Sequence, residues 1–112
     1  MGNLTEKRCK PCEGDVEPLA GDDAARLLAE LHNDWSIGAG DKEISRDFEF
    51  GGFLRTMSFV NAAAWIANAE GHHPDLEVGY KHCLVRYTTH AIGGLSENDF
   101  ICAAKIDELV AR

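Results

Sequence analysis

The chain has few basic residues, few prolines and no long apolar run. Its 112 residues include 11 Lys or Arg against 19 Asp or Glu, so the formal net charge at pH 7 is −8. Proteins that bind nucleic acid concentrate Lys and Arg on one face, and this acidic balance argues against such a surface. No segment approaches the roughly 18 apolar residues of a membrane helix. We therefore expect neither nucleic acid nor a membrane as a partner.

The N-terminal segment MGNLTEKRCKPCEGD also lacks the apolar centre of a secretory signal, so we expect a cytoplasmic protein. In that compartment cysteines are normally reduced thiols. Cys9 and Cys12 have the two-residue gap of zinc ligands or of a redox pair, but no second pair follows at a matching spacing. We interpret them as part of a tail without an essential role, with no metal or cofactor. A zinc protein using Cys9, Cys12 and some histidines is the alternative, and elemental analysis would test it.

Residues 1–20 hold two of the three prolines and show no apolar periodicity, which predicts a loosely ordered N-terminal arm. Residues 21–112 then form one domain. Their apolar residues first recur at helical spacing and then alternate as in two strands. The same succession of a helix and two strands follows once more before a last helix, which predicts the order αββαββα. Because the strands fall in hairpin pairs, we expect an α+β fold with a four-stranded antiparallel sheet and three helices packed on one face.

The second helix is predicted to leave two adjacent histidines at its end. We assigned its apolar stripe to the core, with these residues: Phe53, Met57, Val60, Ala64 and Ala67, widened by Leu54 and Trp65. Gly71 suits the left-handed position that ends a helix. His72 and His73 follow directly, and Pro74 restricts the backbone of His73 to extended angles.

A third histidine is expected near this pair. If the second hairpin turns about Tyr80, residues on its two arms face each other when their numbers add up to roughly 160. His72 and His73 then lie opposite position 87 or 88, and His90 lies a residue or two further along. Three imidazoles would thus meet at the open end of one hairpin, since cross-strand neighbours lie close together.

Three interpretations of such a cluster remain open. Three histidines are a plausible zinc set, although adjacent histidines tend to point in different directions. Alternatively, one imidazole donates and another accepts a proton around a bound small molecule, since histidine titrates near neutrality. The third possibility is a set of surface histidines without a role. The residues favour proton transfer and do not name a substrate.

At this point the chain resembles a known family, the pterin-4a-carbinolamine dehydratases. The resemblance covers most of the chain and is carried by CKPCEG, ISRDFEF, GGFLRTMSFVNAAAWIA and GHHPDLEVGYKHCLVRYTTHAIGGLSENDFICAAKID. It implies loss of water from a 4a-hydroxytetrahydropterin, which gives the quinonoid dihydropterin and recycles tetrahydrobiopterin after aromatic amino-acid hydroxylation. It also implies a functional link to a hydroxylase and a homodimer or homotetramer. In animals, relatives also serve as a dimerisation cofactor for a homeodomain transcription factor, so a non-catalytic protein-binding module is the alternative.

The resemblance assigns the active site to His72, His73 and His90. We expect His72 and His90 to act as acids and His73 to act as base or binding group. The substrate-binding residues are taken to be Pro74, Asn68 and Asp99.

Two of these substrate-binding residues, Asn68 and Asp99, also allow a second interpretation. Asn68 is a departure, because the family often has an acidic residue four positions before the first histidine; an amide can still bond to an imidazole or a pterin ring. Asp99 stands three residues after Ser96 at the start of the last helix. The residues alone favour a structural role for it in a helix cap.

Overall fold

The computed structural model describes residues 4–11 and 16–111. The helices are α1 (Gly21–Leu28), α2 (Phe53–Glu70) and α3 (Glu97–Val110), and the strands are β1 (Ser36–Ile37), β2 (Ile44–Glu49), β3 (Asp75–Val78) and β4 (His82–Tyr87). The strands form one antiparallel sheet in the order β1-β2-β4-β3. The predicted α+β class and element order are confirmed. No helix within the described residues has the length and apolarity to cross a bilayer.

The core lies between one face of the sheet and helices α2 and α3. Side chains alternate between the two faces of a strand, and in β4 Cys83, Val85 and Tyr87 all point inward and are fully buried. Helix α3 contributes a run of buried residues from Asn98 to Ala104 and then Ile106. This helix therefore runs through the interior, and a polar group on its first turn is shielded from water.

One charged residue interrupts the inward face of β2. Arg46 lies between buried Ile44 and Phe48, and its side chain is only 10% exposed. Its Nη1 donates to Asp107 Oδ1 of α3 at 2.7 Å, and its guanidinium lies 4.1 Å from the centroid of the Phe48 ring. The ion pair and the ring compensate for the burial of the charge.

Helix α2 presents a different face to the core from the one predicted. Its buried residues are Thr56, Phe59, Ala63 and Ala67. Leu54 and Trp65, which we had assigned to the core, are 81% and 75% exposed. That prediction was wrong because the helix is apolar on most sides, so periodicity alone could not decide which side faces the sheet.

Part of the predicted N-terminal arm is packed. Residues 4–6 form a 3₁₀ turn against α3, with Leu4 only 4% exposed, and residues 7–11 continue beside the ends of α2 and α3. Sequence periodicity could not reveal this, because the contacts join residues that are distant in sequence. The domain boundary at residue 20 stays a prediction.

The second hairpin has the predicted register within one residue. Asp75 pairs with Arg86 and Val78 with Cys83, so partner numbers add up to 161. Gly71 ends α2 with φ of 66°, the left-handed conformation expected for it. Together these features bring the segment after α2 alongside the end of β4 and the start of α3.

Candidate active site

His72 makes a short hydrogen bond to a buried carboxylate. Its Nε2 lies 2.6 Å from Asp99 Oδ1; the His72 side chain is 12% exposed and that of Asp99 is fully buried. His72 is placed there by the left-handed Gly71, which turns the chain from α2 toward α3. The imidazole therefore connects the buried carboxylate with the surface of the molecule.

Asp99 is fixed by further hydrogen bonds from the protein. The backbone N–H of Ser96 donates to its Oδ2 at 3.0 Å, which completes the predicted capping box at the start of α3. The Thr89 hydroxyl donates to the same oxygen at 2.8 Å. Thr89 Oγ1 also lies 2.8 Å from Ser96 Oγ, which is the donor in that pair because the Thr89 proton points to Asp99. Together with His72, these donors fix the orientation of the Asp99 carboxylate.

The bonding pattern also determines the tautomer of His72. Because the Asp99 carboxylate only accepts hydrogen bonds, the proton of the shared bond resides on Nε2. In the neutral ring, Nδ1 then carries the lone pair, and it has no hydrogen-bond partner among the described residues. Nδ1 is therefore the ring nitrogen that can exchange a proton with a bound molecule.

Tyr87 limits the orientation of the His72 ring. The two rings are nearly parallel, with centroids 5.9 Å apart and an interplanar angle of 10°. Tyr87 is fully buried, burial raises the pKa of its phenol, and its hydroxyl has no hydrogen-bond partner within the described structure. Asp99 and Tyr87 therefore hold the imidazole by a hydrogen bond and by packing.

His73 lies in a separate small cavity. A pocket of about 290 Å³ is lined by Ala64, Ala67, Asn68, His73, Pro74 and Leu76. The structure thus brings three of the predicted site residues, His73, Asn68 and Pro74, to one pocket wall between α2 and β3. His72 and His73 face different surroundings, as expected for neighbours in an extended segment.

His90 follows the bonded threonine directly. It begins a 3₁₀ turn from His90 to Ile92 and is exposed, and the backbone N–H of Thr89 donates to Gly94 O at 2.9 Å. Within the described residues, no hydrogen bond joins His90 to His72 or His73. The meeting of all three imidazoles therefore stays a prediction.

Sequence reasoning missed Thr89 and Tyr87 as parts of the site. Both lie on the inward face of the second hairpin, and Thr89 is buried, with 4% exposure. A hydroxyl among apolar neighbours on a buried face needs a hydrogen-bond partner, and that signal could have pointed to Asp99.

Glu70, two residues before His72, belongs to a different set of contacts. Its carboxylate accepts the Cys9 N–H at 2.9 Å and the Lys105 ammonium at 2.6 Å, and Arg8 Nε lies 3.3 Å away. Burial alone would raise the pKa of Glu70, but these donors lower it from an ordinary 4.5 to about 2. Glu70 therefore fastens the arm and does not take the place of an acid at Asn68.

Within residues 4–11 and 16–111, no group of three or more His, Cys, Asp or Glu side chains is arranged to hold a metal ion. Cys12, half of the predicted Cys9/Cys12 pair, lies outside the described residues. The zinc alternative thus receives no support from the part of the chain that the structure describes.

Comparisons with known proteins agree with the resemblance. The profile of the pterin 4 alpha carbinolamine dehydratase family matches residues 17–109. A relative from Nitrosomonas eutropha, named for pterin-4-alpha-carbinolamine dehydratase activity, is 56% identical over 96% of this chain and 94% of its own. One from Legionella pneumophila, named likewise, is 51% identical over 96% of both chains.

Two solved structures share the fold. A transcriptional coactivator/pterin dehydratase from Brucella melitensis superposes with a TM-score of 0.80 at 27% identity, over 85% of this chain and 100% of that one. A pterin dehydratase-like protein described as a RuBisCO assembly factor in the alpha-carboxysome has a TM-score of 0.63 at 23% identity, over 71% and 93% of the two chains, and shows likeness of fold alone. With the profile covering most of its length, the chain belongs to the pterin 4 alpha carbinolamine dehydratase family.

Proposed function

We propose that this protein is a hydro-lyase that converts 4a-hydroxytetrahydropterin into quinonoid dihydropterin and water. Two protons must be handled in this reaction. The hydroxyl on C4a leaves as water only when it gains a proton, and the neighbouring ring nitrogen, N5, must lose one. General acid and base groups that act at both positions accelerate such a step.

The observation that carries the proposal is the bond between His72 and Asp99. Nε2 stays bonded to the buried Asp99 carboxylate at 2.6 Å, so His72 in its doubly protonated form can deliver the Nδ1 proton to the leaving oxygen. After delivery the ring is neutral and keeps its orientation through the same bond. This arrangement supports an acid role for His72, with Asp99 as the group that positions it and not as a direct substrate ligand.

The pocket beside α2 supports a binding role for its residues. His73, Asn68 and Pro74 share one wall of a cavity of about 290 Å³, which is the lower end of the size range of small-molecule sites. We assign His73 to accept the N5 proton or to bind the ring, and Asn68 to hydrogen-bond a pterin nitrogen or carbonyl. His90, exposed beside Thr89, is proposed as the second acid. No metal or cofactor takes part in the proposed reaction.

The test is an assay in which a phenylalanine hydroxylase generates the carbinolamine and stopped-flow absorbance follows its decay. We expect the wild-type protein to accelerate the decay. His73→Ala and His90→Gln should each reduce that acceleration by about 100-fold, the low end for loss of an acid or base. His82→Gln is a matched control, because His82 pairs with Asp47 on the outer face of the sheet. Acceleration that survives in all three variants with His72, His73 or His90 replaced would overturn the site.

We further propose that this activity serves the recycling of reduced pterin cofactor after aromatic amino-acid hydroxylation, in the cytoplasm. A reaction of this class must be supplied by an enzyme that leaves oxygen on C4a.

The outer face of α2 favours self-association. Leu54 and Trp65 lie three turns apart on one side of the helix and are 81% and 75% exposed. Large apolar side chains that share one exposed face form an interface when a partner covers them as one patch. We propose a homodimer or homotetramer that covers this face. Sedimentation should show Trp65→Ser shifting toward the monomer. A wild-type protein that sediments as a monomer would contradict this assembly. The non-catalytic alternative, a module that binds another protein, is favoured if the folded protein does not accelerate carbinolamine decay; the Brucella relative is described as a coactivator as well as a dehydratase.

A further inference from the structure

Two thiols from distant parts of the chain meet beside the site. Cys9 Sγ of the arm lies 3.5 Å from Cys102 Sγ of α3, across 93 positions of sequence. Cys9 Sγ also approaches Asn98 O at 3.7 Å, and Cys102 Sγ approaches the backbone oxygen of His72 at 3.9 Å. The sulfur pair thus lies between the arm and the residue that carries the imidazole.

The position of Cys9 is built by neighbouring side chains. Glu70 Oε1 accepts the Cys9 N–H at 2.9 Å. Asn98 accepts the Lys10 N–H at 3.0 Å and donates through Nδ2 to Lys10 O at 2.6 Å. Hydrogen bonds therefore hold the backbone of Cys9 and of Lys10 in place. The Cys9 thiol is thus fixed close to the Cys102 thiol.

We propose that Cys9 and Cys102 form a redox modification site that a small-molecule disulfide of the glutathione class converts to a protein disulfide. The Cys9 thiolate attacks one sulfur of the oxidant, forming a mixed disulfide and releasing one small thiol. Cys102 then attacks the Cys9 sulfur and releases the second. Two protein S–H bonds and one small disulfide give one protein disulfide and two small thiols, and the protein loses two electrons and two protons.

The two sulfurs suit these two roles. Cys9 is half-buried and can be reached from solvent, whereas Cys102 is fully buried and can be reached only from Cys9. The hydrogen bond with Cys9 is the largest cause that raises the pKa of Cys102, followed by burial, and formation of the mixed disulfide removes that bond. Cys83 is fully buried, and burial and then Asp47 raise its pKa to about 11, so it stays reduced.

Oxidation would fasten the arm covalently to the helix that carries Asp99. Cys102 lies one turn after Asp99 on α3, so the tie is made next to the capped and buried start of that helix. A cross-link that closes a loop of this length restricts the unfolded chain strongly and raises the melting temperature of the oxidised form. Oxidation also removes the Cys102 S–H that lies near the backbone oxygen of His72.

The experiment incubates the purified protein in buffers of oxidised and reduced glutathione, blocks free thiols and maps tryptic peptides by mass spectrometry. Trypsin does not cleave Lys10-Pro11, so Cys9 and Cys12 both fall in peptide 9–26, and Cys102 falls in peptide 87–105. The expected product joins these two peptides and is lighter by about 2 Da than the sum of the reduced pair. Its formation should raise Tm by about 5 °C or more.

Matched variants assign the sulfurs. Cys12→Ser should keep the cross-link and the rise in Tm, whereas Cys9→Ser and Cys102→Ala should lose both. Asn98→Ala should slow the cross-link several-fold, because it frees the backbone beside Cys9. The proposal is overturned if the oxidised wild-type protein has its disulfide inside peptide 9–26, or if Cys9 carries glutathione while Cys102 stays free. None of these readouts depends on pterin turnover.

Discussion

Two carboxylates flank His72, and their partners differ. Glu70 accepts from Lys105, Arg8 and a backbone N–H, so two of its donors are permanent cations. Asp99 accepts from Ser96, Thr89 and an imidazole that can gain or lose a proton. Both side chains are shielded, at 6% and 0% exposure. Only the second carboxylate bonds to an imidazole, a side chain that can both donate and accept a proton.

The difference separates a structural ion pair from a candidate catalytic one. Glu70 fastens the arm to the ends of α2 and α3 and has no contact with the histidines among its hydrogen bonds. Asp99 completes a helix cap with one oxygen and holds His72 with the other. The cap that the sequence predicts is therefore also the means by which the imidazole is positioned.

Of the two carboxylates, Asp99 is expected to give the larger effect when it is replaced. Asp99→Asn removes the negative charge opposite His72 and leaves buried donors without an anion, so we expect turnover to fall about 10–100-fold and stability by about 3 kcal/mol. Activity assays and urea denaturation measure the two losses. If Asp99 serves only the cap, KM and kcat of the folded variant would stay at the wild-type values while stability falls.

Glu70→Gln is the counterpart on the structural side. It weakens hydrogen bonds to charged groups, so stability should fall by about 2 kcal/mol while turnover stays within about twofold. Because the folded pKa of Glu70 is about 2 and its ordinary value is 4.5, its contribution is fully present above pH 4.5 and is lost as the pH falls toward 2. The difference in stability between wild type and variant should therefore shrink over that window. A difference independent of pH would contradict the assignment.

A smaller effect is expected one bond further from the imidazole. Thr89→Val keeps the shape of a side chain that is 4% exposed but removes the donor to Asp99 Oδ2. We expect a loss of about 1 kcal/mol in stability and a change in the pH dependence of turnover, because the anion opposite His72 is less well solvated. Thr88→Val is the matched control, since its hydroxyl donates to Lys42 O instead. Identical pH profiles in both variants would remove Thr89 from the network.

Much of the fold could be predicted from the sequence because the signals for its elements are local. Alternation in β2 and β4 and the helical spacing after Gly52 predicted the elements, and Tyr80 in the hairpin turn predicted the register within one residue. Ser96 and Asp99 at cap spacing predicted the start of α3. Each of these patterns is set by neighbours within a few positions.

What sequence could not predict depends on long-range packing. The bond from His72 to Asp99 spans 27 positions, and nothing in either neighbourhood indicates the other residue. The exposed face of α2 was misassigned because apolar residues surround the helix, so the packing of the sheet decided which side is buried. The contact of Cys9 with Cys102 likewise exists only once the arm is folded along α3.

In the proposed reaction, His72 is held by Asp99 and donates the proton that expels water from the carbinolamine. The measurement to make is the single-turnover rate of carbinolamine decay with the wild-type protein and with His72→Gln. The Gln amide can still bond to Asp99 but cannot act as a proton donor to the leaving oxygen. We expect acceleration by the wild type and a loss of about 100-fold or more in the variant. A folded His72→Gln protein as fast as the wild type would contradict it.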